Sequence, residues 1–391
     1  MTNKEILSSL CSLSVFRNIL KNKTVSALVK YLKSAEGSLE KIDAYADFVS
    51  LLMAENGSFS EVIKKCVCED ENAYIKAVAA KKEVSDCVKK NAETELRFFT
   101  ELTKLTPESL WQGSEYYGYI PSFENEFTDF TSLYKERLKN VSSLGYGIFA
   151  SHGMFRVENN TIIPVEVADN ISVNNFIGYE KERMAVLENT KALTEGRPAQ
   201  NVLLCGDAGT GKSSTVKACA NYYFQKGVRL IELRKDQLFA LSYVMGAIAE
   251  NPLKFIIFID DLSFNKNDDC FSMLKAVLEG SAASKSGNAV IYATSNRRHI
   301  VKESFADRTG TDDVHRNDTM QELLSLSDRF GLTVYFQKPN KMLYLDIVHE
   351  LAERNGITME KAQLDIKAEA FALMRGSRSP RAAEQFIKSL M

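Results

Sequence analysis

Eight residues near the middle of the chain constrain its fold more than any others: Gly206-Asp207-Ala208-Gly209-Thr210-Gly211-Lys212-Ser213. They have the spacing G-x-x-x-x-G-K-[ST], directly after the apolar stretch Asn201 to Cys205 and directly before a helical pattern from Ser214 to Phe224. A strand, a glycine-rich turn and a helix in that order make a phosphate cradle. The glycines let backbone N–H groups curl inward, and the helix N-terminus adds partial positive charge. Lys212 is expected to reach the β- and γ-phosphates of a nucleotide, and the Ser213 hydroxyl to ligate Mg²⁺. Gly206, Asp207, Ala208, Gly209, Thr210, Gly211, Lys212, Ser213 and Ser214 are therefore the expected phosphate-contacting residues. A glycine-rich turn carrying a chance lysine is the competing explanation.

A second motif argues against chance. Phe255-Ile256-Ile257-Phe258-Ile259 is a strand-sized apolar run that ends in Asp260-Asp261. The carboxyl end of a parallel strand opens on the crevice where α/β sheets bind ligands, so the two carboxylates are expected there. Asp260 is the candidate Mg²⁺ partner, and Asp261 the candidate that orients or deprotonates the attacking water. A surface turn whose Asp residues cap the next helix is the bland alternative.

The rest of the chain fits around these motifs. Five apolar runs, Asn201 to Cys205, Val228 to Leu233, Phe255 to Asp260, Ala289 to Thr294 and Leu332 to Gln337, predict a five-stranded parallel sheet; helical patterns separate the first four. From Asn340 three helices are expected, the last opening at Ser379-Pro380 with Ser at the N-cap and Pro at the first helical position. Upstream, Ile6, Leu10 and Leu13, then Val25, Leu28 and Leu32, have amphipathic-helix spacing. Between these parts, Ile148-Phe149, Met154 to Val157 and Ile162 to Val165 alternate as a β-hairpin around Asn159-Asn160. The expected organisation is a helical N-terminal domain (1–142), a β-hairpin linker (143–175), an α/β nucleotide-binding core (176–338) and a C-terminal helical lid (339–391). The aromatics Phe98, Phe99, Trp111, Tyr116, Tyr117 and Tyr119 are expected to form core rather than an interaction surface.

Composition sets outer limits. The 49 Lys and Arg against 51 Asp and Glu give no global positive field for nucleic acid or anionic membrane. Seven cysteines, odd in number and without CxxC spacing, fit reduced thiols rather than a disulfide framework or a zinc site. No apolar run has the length of a membrane span and no export signal is evident, so a cytoplasmic protein without a membrane partner is expected.

Taken together, the loop, the Asp260-Asp261 strand, a strand ending Thr294-Ser295-Asn296 and the turn Asp328-Arg329-Phe330 before the last strand resemble AAA+ P-loop ATPases. Within that superfamily, Asp260 to Phe264, Tyr292 to His299 and Ser325 to Leu332 resemble a bacterial family of predicted AAA+ ATPases of unassigned function, from about Phe176 to the C-terminus. The resemblance implies ATP and Mg²⁺ as cofactors and a homo-oligomer acting on an unknown protein or nucleic-acid client. It implies that Asn296 is a polar sensor of the γ-phosphate, and that Arg329 is an arginine finger serving the next subunit. Arg381 or its neighbour Arg378 would be the lid sensor, and Ile177 and Gly178, in Phe176-Ile177-Gly178-Tyr179, would pack the adenine.

One departure stands out: the second carboxylate of the motif is usually Glu and here is Asp261, a methylene shorter. A misplacement on the order of 1 Å can cost about a hundredfold in rate. The sequence thus supports ATP binding more firmly than fast hydrolysis. Beside an ATPase that couples nucleotide state to motion stand a nucleotide-gated scaffold with little turnover and a P-loop small-molecule kinase. Arg297, Arg298, His299, Arg308 and Arg316 form a basic stretch after the sensor strand, where solvation, a neighbouring subunit's nucleotide or a polyanionic client are all open.

Overall fold

The structure, a computed structural model, describes residues 1–55, 57–111, 116, 118–167, 171–262, 269–278, 287–296 and 329–391. The chain divides into two compact units, Met1–Ser151 and His152–Met391.

The first unit is helical. Side-chain N-caps from Asn22, Ser38, Ser58 and Ser85 start four of its longer helices, Lys23–Lys33, Leu39–Ala54, Phe59–Glu69 and Asp86–Leu102. Ile6, Leu10, Leu13, Val25 and Leu28 are all buried, as their spacing predicts, in one core with Phe48, Phe59, Phe99 and Trp111. Edge-to-face pairs such as Phe16 with Phe99, centroids 5.6 Å apart, fill it. Tyr119 is exposed and Tyr117 lies outside the described residues, so the aromatic cluster is core only in part. Buried Glu95 accepts bonds from the backbone N–H groups of Ser14, Val15 and Phe16, fixing the turn after the first helix.

The second unit is built on one sheet of seven strands: β1 (Met154–Glu158), β2 (Thr161–Pro164), β3 (Val202–Gly206), β4 (Val228–Leu233), β5 (Lys254–Ile259), β6 (Ala289–Ser295) and β7 (Leu332–Phe336). Their order is β2-β1-β4-β5-β6-β3-β7. The five expected strands are all present and mutually parallel. The expectation of a five-stranded sheet is nevertheless corrected. The hairpin β1–β2, read as a separate linker, joins the sheet through parallel pairing of β1 with β4, and only β1 and β2 pair antiparallel. That pairing joins residues far apart in the sequence, with Met154 opposite Leu230, which alternation within a hairpin does not encode. Ile148 and Phe149 fall in a short 3-10 turn, Gly147–Phe149, rather than in a strand.

The near-continuous apolar runs follow from burial on both faces; every residue of Phe255–Ile259 is fully buried. The Glu180–Thr194 and Lys212–Tyr222 helices pack beside the sheet, and Val186, Leu193, Val216 and Cys219 share its core. The helices Lys341–Arg354, Lys361–Met374 and Pro380–Lys388 close around a core of their own, which Ile177 also joins. Ser379 caps the last of them by accepting from Ala382 N–H, with Pro380 at the first position. Among the described residues no helix is long and apolar enough to cross a membrane.

Candidate functional site: a glycine-rich loop facing an acidic strand end

The glycine-rich loop leaves the carboxyl end of β3, a strand flanked by β6 and β7, so it opens on the crevice beyond the ends of the parallel strands. Gly206 is required by sterics. It lies opposite Phe336 with φ at +138°, and a Cβ there would sit 2.0 Å from the Phe336 carbonyl oxygen. Gly209 and Gly211 also take positive φ, and Gly211 forms the N-cap of the following helix. The Thr210 hydroxyl, fully buried, ties the turn by donating to the Asp207 carbonyl at 2.9 Å.

Lys212 points back into the loop and is almost fully buried. Its ammonium donates to the carbonyls of Gly206 (3.0 Å) and Asp207 (2.7 Å) and to Asn296 Oδ1 (2.8 Å). Burial lowers its pKa below the ordinary lysine value, opposed by the charges of Asp207, Asp260 and Asp261. Beside it, the Ser213 hydroxyl donates to Asp260 Oδ1 at 2.7 Å. The same oxygen accepts from the Thr294 hydroxyl at 2.5 Å. Asp261 N–H donates to Thr294 Oγ1 at 2.9 Å, and Asn296 Nδ2 donates to Asp261 Oδ1 at 2.8 Å. One continuous network therefore joins the loop to the ends of β5 and β6, and it includes Lys212, Ser213, Asp260, Asp261 and Asn296.

Asp261 takes φ of +52°. Short polar side chains tolerate this left-handed region far better than longer or branched ones, which gives a backbone reason for Asp where Glu is usual.

Two cavities, of about 110 and about 270 Å³, adjoin the loop. The second is lined by Ala208, Lys212, Ser213, Asp260, Asp261 and Asn296. The first runs between Gly209–Gly211 and Ser214 on one side and Ile177, Arg183 and Ile347 on the other. Gly178 adopts φ of +70°, with Leu343 close enough to crowd any Cβ, so the Ile177-Gly178 segment is held against the helical subdomain. Arg381 lines both cavities, and its N–H donates to the Gly209 carbonyl at 3.3 Å. Arg378 instead forks onto Glu369, at 2.9 and 2.7 Å. Of the two arginines, Arg381 is the one beside the loop.

Arg329 is not brought to this network. It precedes β7, whose Leu332 pairs with Val202 at the start of β3, so it stands at the amino ends of the strands, roughly 15 Å of strand away at ~3.3 Å per residue. The basic residues Arg297, Arg298, His299, Arg308 and Arg316, and Asp328, lie outside the described residues.

Two features escape a reading of the sequence, and a third is present in it. Thr294 was visible only as part of a strand end, not as the hydroxyl bridging Asp260 and Asp261. Arg183 looks like an ordinary charged helix residue, yet it is buried against the first cavity. Asn265-Lys266-Asn267-Asp268 has the N-K-x-D spacing of guanine-reading loops; it lies outside the described residues, and the choice of base is tested below.

Residues 150–391 match the family model described as "Protein of unknown function (DUF815)". No curated protein matches the chain. Among solved structures, the RuvB Holliday junction branch migration motor of Thermotoga maritima aligns at 16% identity with a TM-score of 0.38, over 56% of this chain and 63% of that one. A variant of the same motor aligns at 18% identity, TM-score 0.38, over 56% and 64%. The match thus spans less than two thirds of that motor's length, and at these scores the likeness carries no functional argument.

Proposed function

We propose, for a chain that belongs to the DUF815 family of unknown function, that the unit His152–Met391 binds Mg-ATP at the Gly206–Ser214 loop and hydrolyses it. The observation that carries this reading is the network in which the loop's own lysine and serine meet the acidic strand end, Lys212 through Asn296 to Asp261 and Ser213 directly to Asp260.

The residues fit the chemistry. Mg²⁺ binds through one or two carboxylates together with substrate phosphates, and the Ser213 hydroxyl and the Asp260 carboxylate already converge within one hydrogen bond. Ser213 and Asp260 would hold Mg²⁺, which would offset charge on the phosphates. The backbone N–H groups of Gly209 to Ser214 hold the phosphates, and Lys212 exchanges its loop carbonyls for β- and γ-oxygens. Asp261 orients the attacking water and accepts its proton. Asn296, bonded to both Lys212 and Asp261, reports whether a γ-phosphate is in place. Ile177 and Gly178 pack the adenine, and Arg381 links the Pro380–Lys388 helix to the phosphates.

In the same reading Arg329 serves a neighbouring subunit. Its position before β7, at the end of the strands away from its own loop, supports action in trans. The assembly is then a homo-oligomer, cytoplasmic, in which nucleotide state moves the helical subdomain against the core and acts on a protein or nucleic-acid client. The described free cysteines, Cys205 and Cys219 buried among them, suit a reducing compartment.

Thin-layer analysis of radiolabelled ATP, with and without small-molecule acceptors, tests the reading. Release of inorganic phosphate that depends on Lys212 supports it. Label transferred to an acceptor would make the protein a kinase, and tight binding without turnover would make it a nucleotide-gated scaffold. The short Asp261 side chain favours that scaffold as the second reading.

A further inference from the structure

Arg183, on the Glu180–Thr194 helix, is about 93% buried, with 7% relative exposure. Its guanidinium carbon sits over the Phe176 ring, 4.3 Å from the centroid. One terminal nitrogen donates to the Ile177 carbonyl at 3.3 Å, and Nε, although buried, has no hydrogen-bond partner. Among the described residues no carboxylate forms an ion pair with it; Glu180 and Glu182 act only at a distance. A buried cation without an ion pair is costly, and burial lowers the pKa of this guanidinium to about 10. The Phe176 and Tyr179 rings and the Ile177 carbonyl offset part of that cost, but none of them gives Nε an acceptor.

Arg183 lines the first cavity together with Phe176, Ile177, Ile347 and Leu351, and the opposite wall is the Gly209–Gly211 segment of the phosphate loop. A nucleotide whose phosphates rest in the loop would have its base against these apolar residues, in a cavity that Asn175 and Glu384 also line. A guanidinium only donates. It therefore cannot pair with the exocyclic amine of adenine, whose hydrogens are also donors, but it can donate to a ring nitrogen. Ring-nitrogen acceptors and a flat π-face belong to both purines.

We infer that Arg183 is a base-contacting residue that donates to a ring nitrogen of a bound purine while its guanidinium remains over the Phe176 ring. This deepens the nucleotide-binding reading and rests on it. The Ile177-Gly178 segment packs around the base, and Arg183 supplies a directional contact to the purine ring.

The experiment is calorimetric titration of the full chain with ATP, GTP, CTP and the 1-deaza, 3-deaza and 7-deaza analogues of ATP, each replacing one ring nitrogen by C–H. The same series is run on Arg183→Met, which keeps an unbranched side chain for Phe176 to pack on, and on Arg183→Lys. In the unaltered protein one deaza analogue should bind roughly 10- to 100-fold more weakly than ATP, the span of one hydrogen bond to a charged group. CTP should also be weak. In Arg183→Met, ATP should weaken by about the same factor and the deaza penalty should vanish, while Arg183→Lys should recover only part of it. GTP binding as tight as ATP, lost alike in Arg183→Met, supports the purine contact and widens it to both bases. ATP binding with no deaza penalty in the unaltered protein overturns the inference and leaves the phosphate site standing. An equal penalty in both proteins does the same. No binding of any nucleotide removes both. Because the deaza comparison is made within one protein, it survives a poorly folding variant.

Discussion

Lys212 Nζ donates to Asn296 Oδ1 at 2.8 Å, across the carboxyl ends of the adjacent strands β3 and β6. Asn296 spends its amide group on Asp261 at the same distance. A single side chain thus stands between Lys212, proposed to grip phosphate, and Asp261, proposed to act on water, and in that proposal binding that draws Lys212 away is felt at Asp261.

Asn296→Ala cuts both bonds while leaving the loop and Asp260 in place. It should bind Mg-ATP within a few-fold of the unaltered protein and hydrolyse it roughly 10²-fold more slowly, the scale of losing one preorganised polar contact. Calorimetry for binding and phosphate release for turnover check this. An equal loss in both measurements would place Asn296 in ground-state binding instead.

Asp261→Asn tests the second carboxylate without disturbing its left-handed backbone, since Asn tolerates φ of +52° as Asp does. The side-chain oxygen still accepts from Asn296 and the backbone N–H still donates to Thr294. Mg-ATP binding should persist and most hydrolysis should disappear. Turnover at the original rate would remove Asp261 as the base.

Gly206→Ala forces a Cβ to within 2.0 Å of the Phe336 carbonyl oxygen, backbone against backbone. Overpacking of this kind costs about 1–3 kcal/mol or more, which for a unit of this size lowers Tm by roughly 2–12 °C. Gly246→Ala is the control: it sits in the Leu241–Ile248 helix with nothing within 4 Å and should leave Tm unchanged or slightly raised. Differential scanning calorimetry compares the two.

The loop was legible because its chemistry is local: eight consecutive residues carry both the turn and the donors. The parallel strands were legible because burial on both faces leaves unbroken apolar runs. What stayed hidden is non-local. The β1–β4 pairing, the Thr294 bridge and the burial of Arg183 each depend on residues brought together only by folding, and a charged residue on a helix reads by default as solvated. The choice between Arg378 and Arg381 was open in the sequence because both are basic and three residues apart. Glu369, on the preceding helix, takes up Arg378.

Arg329→Ala should bind ATP normally and hydrolyse it poorly, because an arginine supplied in trans contributes roughly 10³ to 10⁵ in rate. A Lys212→Ala subunit still carries Arg329 and can complete a neighbour's site. Mixing the two inactive variants, with co-assembly verified by light scattering, should restore part of the activity. Activity no greater than the sum of the two would make Arg329 a residue of its own subunit alone.

The most direct test of the central claim is titration of ATP and Mg²⁺ into the unaltered protein and into Lys212→Ala, with thermal unfolding recorded for both. Lys212 is buried and bonded to Gly206, Asp207 and Asn296, so some loss of Tm is expected even without ligand. The account predicts saturable ATP binding by the unaltered protein and none by a folded Lys212→Ala. Equal ATP affinity in the two folded proteins would contradict it.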